Sequence, residues 1–127
     1  MIEVRYYSRG GNTKKLAEAI AEATGVEAKT IDEPINEVTD TLFIGGALYA
    51  YGLDKKLNAY LDTLEKEKVK KAVVFSTSWI SKHAMSLIER KLKDKGIKVC
   101  EDRIYARGNP SEKAIAAAKE ISSKYKE

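Results

Sequence analysis

The sequence predicts one α/β domain, in which a five-stranded parallel sheet lies between two layers of helix. Short runs rich in β-branched and aromatic residues alternate with longer segments of helical period, as in successive βαβ units. The 127 residues suffice for one hydrophobic core but not for a second lobe, so we expect a single domain over residues 1–127. Right-handed crossovers between parallel strands then favour a doubly wound sheet.

The first half of the chain contains three predicted strands and one clear helix. The strands are predicted over residues 2–7, 26–31 and 41–46. The helix is predicted over residues 13–24, because apolar residues recur there at spacings of three and four and Gly25 follows in the usual capping position. Residues 32–39 have no clear period, so we expect an irregular segment.

The first predicted strand carries two charged residues, Glu3 and Arg5. A central parallel strand is usually apolar on both faces. Either these two side chains pair near the end of the sheet, or one face of the strand is less covered than the rest.

The second half of the chain contains the remaining strands and helices. They are predicted as a helix over 53–64, a strand over 72–75, a helix over 81–95 and a strand over 97–104. A last helix is predicted to begin at Asn109 as the N-cap, with Pro110 in the first turn and Glu112 as the acid of a capping box.

Composition excludes some classes of protein and favours others. The chain has 23 Lys and Arg against 19 Asp and Glu, but the lysines alternate with glutamates along the helices, so we expect solvated faces and no nucleic-acid partner. No apolar run approaches the roughly 20 residues of a membrane span, and no leader-like segment opens the sequence. Cys100 is the only cysteine, which fits a reducing compartment. We therefore expect a cytoplasmic monomer without membrane contact.

The loop after the first strand contains most of the functional signal. It consists of Ser8, Arg9, Gly10, Gly11, Asn12 and Thr13. The glycines allow close backbone approach to a ligand, the polar side chains supply hydrogen bonds, and the start of the following helix supplies unpaired N–H groups. This pattern predicts a phosphate cradle. A tight turn in which Asn12 or Thr13 caps the helix is the alternative.

Two further loops are expected at the same edge of the sheet, because ligands of such sheets bind outside the carboxyl ends of the strands. The loop after the third strand contains Gly46, Ala47, Leu48, Tyr49, Ala50 and Tyr51. The loop after the fourth strand contains Ser76, Thr77, Ser78 and Trp79. Small residues, hydroxyl groups and three aromatic rings suit a flat aromatic ligand, although each ring alone is equally well explained as a cap on the core.

The residues needed for other chemistries are missing from the sequence. His83 is the only histidine and Cys100 the only cysteine, so no metal-ligand spacing and no paired nucleophile and base is found. Gly45 and Gly46 occupy the position where a receiver domain of this architecture would need an aspartate. We therefore expect a bound cofactor to supply the reactivity and predict no catalytic residue and no metal.

The segment from Tyr6 to Thr13, followed by a helix beginning Lys14-Lys15-Leu16-Ala17, resembles the FMN-phosphate loop of flavodoxins. In those proteins the pattern is Ser/Thr-x-Thr-Gly-x-Thr, and here Gly10 replaces the second hydroxyl-bearing residue. The resemblance implies the flavodoxin-like strand order 2-1-3-4-5 and FMN as cofactor. It also implies that the phosphate lies at Ser8–Thr13 and the flavin ring between the loops 46–51 and 76–79.

Three functions remain open at this stage. The first is a one-electron carrier between redox partner proteins, which would be acidic because cationic side chains outnumber Asp54 around the predicted edge. The second is a small FMN-dependent oxidoreductase, such as a quinone or protoporphyrinogen dehydrogenase-like enzyme. The Gly-Ala-Leu-Tyr-Ala segment also resembles flavodoxin-domain proteins related to quinone-dependent protoporphyrinogen dehydrogenases. The third is an interaction module of the same fold without flavin, which the substitution at Gly10 favours.

Overall fold

The structure, a computed structural model, describes residues 1–49, 52–78 and 83–127. Its strands are β1 (Ile2–Tyr6), β2 (Ala28–Thr30), β3 (Thr39–Tyr49), β4 (Gly52–Leu53), β5 (Val69–Thr77) and β6 (Lys98–Ala106). Its helices are α1 (Asn12–Thr24), α2 (Lys55–Thr63), α3 (His83–Asp94) and α4 (Glu112–Ser123).

Five parallel strands form the central sheet in the order β2-β1-β3-β5-β6, and the two-residue β4 pairs antiparallel with the end of β3. Without β4 this is the predicted order 2-1-3-4-5, so the predicted fold class is confirmed. β3 is central: Phe43 lies opposite Val4 on one side and Val73 on the other.

The sheet and the helices on its two faces form three layers, and one apolar cluster on each face joins the helices to the sheet. Because successive strand residues point to opposite faces, Phe43 packs with α1 and α4, while Leu42 and Ile44 pack with α2 and α3. Leu16 and Ile20 of α1 are fully buried, as the helical spacing predicted. Gly25 ends α1 in a left-handed conformation (φ 76°), which confirms the predicted C-terminal cap.

The charged pair of β1 is satisfied inside the protein. Arg5 is only 3% exposed, and one guanidinium nitrogen lies 3.3 Å from the Glu3 carboxylate. The guanidinium also donates to the carbonyls of Val4, Glu33 and Pro34. The two side chains therefore pair, and the irregular segment after β2 covers this part of the face. The Tyr60 hydroxyl of α2 donates to the Glu33 carbonyl of that segment at 2.8 Å.

Some element ends differ from the predicted ones. β3 and β5 extend to Tyr49 and Thr77, because their neighbours provide hydrogen-bonding partners beyond the apolar runs. The predicted cap of α4 at Asn109 is wrong: Ser111 is the N-cap, and its hydroxyl accepts from the Ala114 amide at 3.1 Å. No helix in the described ranges is long and apolar enough to cross a membrane.

Candidate functional site

The carboxyl ends of β1, β3 and β5 lie side by side, which brings the three predicted segments to one edge of the sheet. The Tyr7 amide donates to the Gly45 carbonyl at 3.1 Å, and Gly46 and Ala47 lie opposite Ser76 and Thr77. The loop after β1 leads directly into α1 at the same edge. The structure therefore juxtaposes these segments, as the order of elements predicted.

The start of α1 has no side-chain cap. Gly11 is the N-cap residue, with a φ of 90° that glycine adopts without strain. No side chain accepts a hydrogen bond from the first turn in the cap position, and the first turn contains no acidic residue. The alternative in which Asn12 or Thr13 caps the helix is therefore wrong, because the helix has already begun at Asn12. The first N–H groups of α1 have no intrahelical acceptor and point toward the loop edge.

Two hydrogen bonds fix the shape of this loop. The Ser8 hydroxyl accepts from the Gly11 amide at 2.9 Å, which closes the turn. The Thr13 hydroxyl lies 2.7 Å from the Thr77 hydroxyl, and both side chains are buried. Thr13, which is 1% exposed, thus connects the start of α1 to the end of β5. The side chain of Asn12 has no hydrogen-bond partner within the described part of the chain and is half-buried.

The glycines at this edge have two different roles. A Cβ added at Gly10 or Gly11 would meet no atom within 4 Å, so the space in front of both residues is open. A Cβ at Gly45 would collide with the Phe75 ring, and one at Gly46 would collide with the Leu57 side chain. Gly10 and Gly11 therefore leave room for a ligand, whereas Gly46, a predicted ligand residue, makes room for packing against α2.

The segment 76–78 is held by the protein itself. Ser76 and Thr77 lie in β5 and not in a loop as predicted; the Ser76 hydroxyl donates to the Gly46 carbonyl at 2.7 Å. The Ser78 carbonyl accepts from the Tyr105 hydroxyl at 2.8 Å and from the Gly108 amide at 3.2 Å. The hydroxyls of Ser76 and Thr77 thus have partners within the fold, and the segment is fixed to the end of β6.

The predicted loop after β3 is largely a hairpin. Ala47, Leu48 and Tyr49 continue β3, and Leu48 and Tyr49 pair with Leu53 and Gly52 of β4. Ala50, Tyr51 and Trp79 lie outside the described residues. The predicted stacking of Tyr49, Tyr51 or Trp79 on a ligand stays a prediction.

An ion pair that did not follow from sequence joins the loop after β1 to the end of the β3–β4 hairpin. Arg9, whose side chain is 55% exposed, pairs with Asp54, which is 8% exposed. Asp54 is also the N-cap of α2 and accepts from the Lys56 amide at 2.8 Å. The hydrogen bond from Arg9 lowers the pKa of Asp54, and those from the Lys56 amide and Tyr7 act in the same direction, while burial opposes them. An aspartate directly before a helical run is a recognisable N-cap signal, but its partner Arg9 is 45 residues distant in sequence.

Comparison with solved structures places this fold among known ones. A flavodoxin from the domain Archaea superposes with a TM-score of 0.78 and 22% identity over 97% of this chain and 94% of that one. Oxidised Flavodoxin 1 from Bacillus cereus gives 0.81 and 20% over 98% and 97%. Rubredoxin oxygen:oxidoreductase from Desulfovibrio gigas gives 0.81 and 14% over 95% of this chain but 34% of that one. No family model matches the sequence, and no curated protein does. The fold is flavodoxin-like.

We predict that Asp54→Asn lowers the free energy of unfolding at neutral pH, and that this loss disappears as pH falls through the pKa of Asp54. Asparagine caps a helix as well as aspartate does, so the substitution removes the charge and keeps the cap. Because the pKa of Asp54 is lowered in the folded protein, the ion pair stabilises wild type at pH values above the usual 3.8, and this contribution is lost as pH falls through the lowered pKa. Urea unfolding of both proteins from pH 7 to pH 2.5 measures the difference.

Asp62→Asn is the matched control, since Asp62 pairs with Lys91 and is 60% exposed. We expect a smaller loss of unfolding free energy for it at pH 7 than for Asp54→Asn. Equal losses in both variants, or a loss at Asp54 that is independent of pH, would contradict a structural role for the Arg9–Asp54 pair.

Proposed function

We propose that this protein binds FMN at the carboxyl edge of its sheet and transfers electrons between redox partner proteins. The observation that carries the proposal is the start of α1, where a glycine N-cap, an open cradle at Gly10 and Gly11 and an acid-free first turn leave N–H groups for an anion. Helix N-termini of this kind bind phosphate through their N–H groups and the helix dipole. The loop around them is the one that resembles the FMN-phosphate loop of flavodoxins.

The charges around the cradle also suit a phosphate. Lys14 and Lys15 lie in the first turn of α1, where cations oppose the helix dipole unless an anion compensates them. The Lys15 ammonium donates to the Asn109 side chain at 2.8 Å, which holds it beside the loop after β6. Arg9 is exposed at the loop and pairs with Asp54. A dianionic phosphate therefore gains both hydrogen bonds and favourable charge at this position.

The residues of this chain have distinct roles when FMN is bound. The N–H groups at the start of α1 and the side-chain amide of Asn12 would hold the phosphate, while Ser8 and Thr13 keep the loop in shape through Gly11 and Thr77. The hairpin after β3 and the segment after β5 would flank the ring. FMN supplies reversible uptake and release of electrons through that ring, and the surrounding side chains orient it and limit its contact with water.

One observation favours a carrier over an enzyme. The chain matches flavodoxins along nearly the whole length of both partners, whereas its match to the D. gigas oxidoreductase covers 34% of that chain. Steady turnover of NADH or a quinone by the isolated protein would instead support the oxidoreductase. We place the protein in the cytoplasm, which the lone Cys100 favours.

A flavin-free interaction module is the second candidate, because Gly10 supplies no hydroxyl where flavodoxins have a threonine. An FMN titration of the purified protein separates the two. Saturable binding with a change in the flavin absorption spectrum supports the carrier. No response to added FMN would support the module.

We predict that Asn12→Ala weakens FMN binding about ten- to a hundredfold and leaves riboflavin, which lacks the phosphate, within roughly threefold. One hydrogen bond to a charged group is worth about 1.5–3 kcal/mol, which corresponds to that ratio. Asn36→Ala is the matched control, because Asn36 is exposed at the opposite, amino-terminal edge beside Met1 and Thr39. Calorimetric titration of both ligands measures the effect; equal losses for FMN and riboflavin would place the phosphate elsewhere.

We also predict that an aromatic side chain of the two flanking segments quenches the fluorescence of bound FMN by stacking on the ring. Tyr49→Ala, Tyr51→Ala and Trp79→Ala test the three candidates, and the stacking residue is the one whose loss restores emission and lowers affinity. Quenching and affinity that persist in all three variants would show that these rings cap the core and do not contact the flavin.

A further inference from the structure

A groove of about 800 Å³ lies between α2 and α3, adjacent to the candidate cofactor site. Leu53 of β4 and Leu87 of α3, both half-buried, provide its apolar lining. Arg9 and Asp54 also line it, so the groove reaches the loop after β1. An occupant of this groove would therefore lie beside the proposed flavin.

The groove has an excess of positive charge. Among the residues that the structure describes, its charged lining consists of five cations and two carboxylates, namely Arg9, Lys55, Lys56, Arg90 and Lys91 against Asp54 and Asp94. Arg9 pairs with Asp54, and Lys91 pairs with Asp62 outside the groove at 2.7 Å. Lys55, Lys56 and Arg90 have no ion-pair partner among the residues that the structure describes. Three exposed cations thus remain for a negatively charged occupant.

On the opposite face of the sheet, Lys119 of α4 pairs with Glu22 of α1 at 3.2 Å, and Lys124 pairs with Asp102 at 3.0 Å. Lys113 and Lys126 on that face have no ion-pair partner among the residues that the structure describes. In the α2–α3 groove, unpaired cations and an apolar lining occur together.

The lining of the groove favours a polypeptide over a small anion. Its cations stand on both walls, with Lys55 and Lys56 on α2 and Arg90 on α3, and Leu53 and Leu87 make part of the lining apolar. A small inorganic anion would compensate the cations but would leave the two leucines in contact with water. An acidic segment with an apolar side chain complements both the charge and the apolar lining.

We propose that the α2–α3 groove docks an acidic segment of a partner protein, with one apolar side chain between Leu53 and Leu87 and carboxylates on Lys55, Lys56 and Arg90. The biological role of this docking rests on the proposed function, since a redox partner docked there would lie beside the flavin. The binding surface itself requires no flavin. The rate at which the partner associates with the groove should fall as salt rises, as for other electrostatically guided encounters.

The test uses two charge-reversal variants that change the net charge equally. Lys55→Glu/Arg90→Glu alters the groove, whereas Lys113→Glu/Lys126→Glu alters two exposed lysines on the other face, one in α4 and one shortly after it. The probe is a short peptide of glutamates around one leucine, added to the flavin-free, nitrogen-15-labelled protein. We expect amide shifts at residues of the groove and an affinity about tenfold lower in the groove variant, against a change of about twofold or less in the control.

Three results would overturn docking at this groove: equal losses in both variants, amide shifts spread over both faces, or equal binding of a glutamate peptide without leucine. Self-association of the wild type that disappears in the groove variant would identify a second copy of this chain as the occupant, and would also overturn the proposal.

FMN titration of the same variants separates this inference from the proposed function. We expect FMN affinity within about twofold of wild type in both, because neither variant alters the loop after β1. If FMN fails to bind to wild type while the peptide still binds in the groove, the docking site stands and its redox purpose is refuted. If FMN binds and the peptide does not, the proposed function stands and the docking site is refuted.

Discussion

The first N–H groups of an α-helix have no acceptor within the helix, and a folded protein must pair them with a side chain, water or a ligand. At the start of α1 the cap position is held by Gly11, which has no side chain to offer, and lysines take the place of the usual acids in the first turn. This arrangement is unfavourable for the helix alone and becomes favourable when an anion binds. The open space at Gly10 and Gly11 leaves access to the same N–H groups.

The cradle is useful only if it stays fixed relative to the rest of the edge, and the structure provides three connections. Ser8 closes the turn through the Gly11 amide, Thr13 joins α1 to β5 through Thr77, and Arg9 joins the loop to α2 through Asp54. The first lies within the loop, and the other two lead to β5 and to the start of α2. A ligand bound at α1 would therefore be held relative to these two elements by contacts that exist without it, which would reduce the ordering cost of binding.

The two apolar faces and the juxtaposition of the three segments at one edge followed from sequence, because they depend on periodicity and on the geometry of parallel sheets. The order of strands followed from the resemblance of the loop after β1 to that of flavodoxins. The N-cap of α4 did not follow from sequence, since Asn109 and Ser111 both carry capping side chains, and in the structure Asn109 accepts from Lys15 of α1 while Ser111 caps the helix. The packing of Leu57 against Gly46 did not follow from sequence, because sequence patterns do not show which helix side chain lies over which strand residue. The Arg9–Asp54 and Thr13–Thr77 pairs were missed for the same reason: their partners are 45 and 64 residues apart.

The claim that the start of α1 holds the phosphate of FMN is tested most directly by nuclear magnetic resonance of the nitrogen-15-labelled, flavin-free protein during titration with FMN. An N–H group that donates to a phosphate moves downfield in its proton shift, so we expect the amides of Asn12, Thr13 and Lys14 to move downfield with FMN and much less with riboflavin. The Gly11 amide, already bonded to Ser8, should move least within the loop. Saturable binding of FMN that leaves the amides of residues 11–14 unchanged would contradict the account.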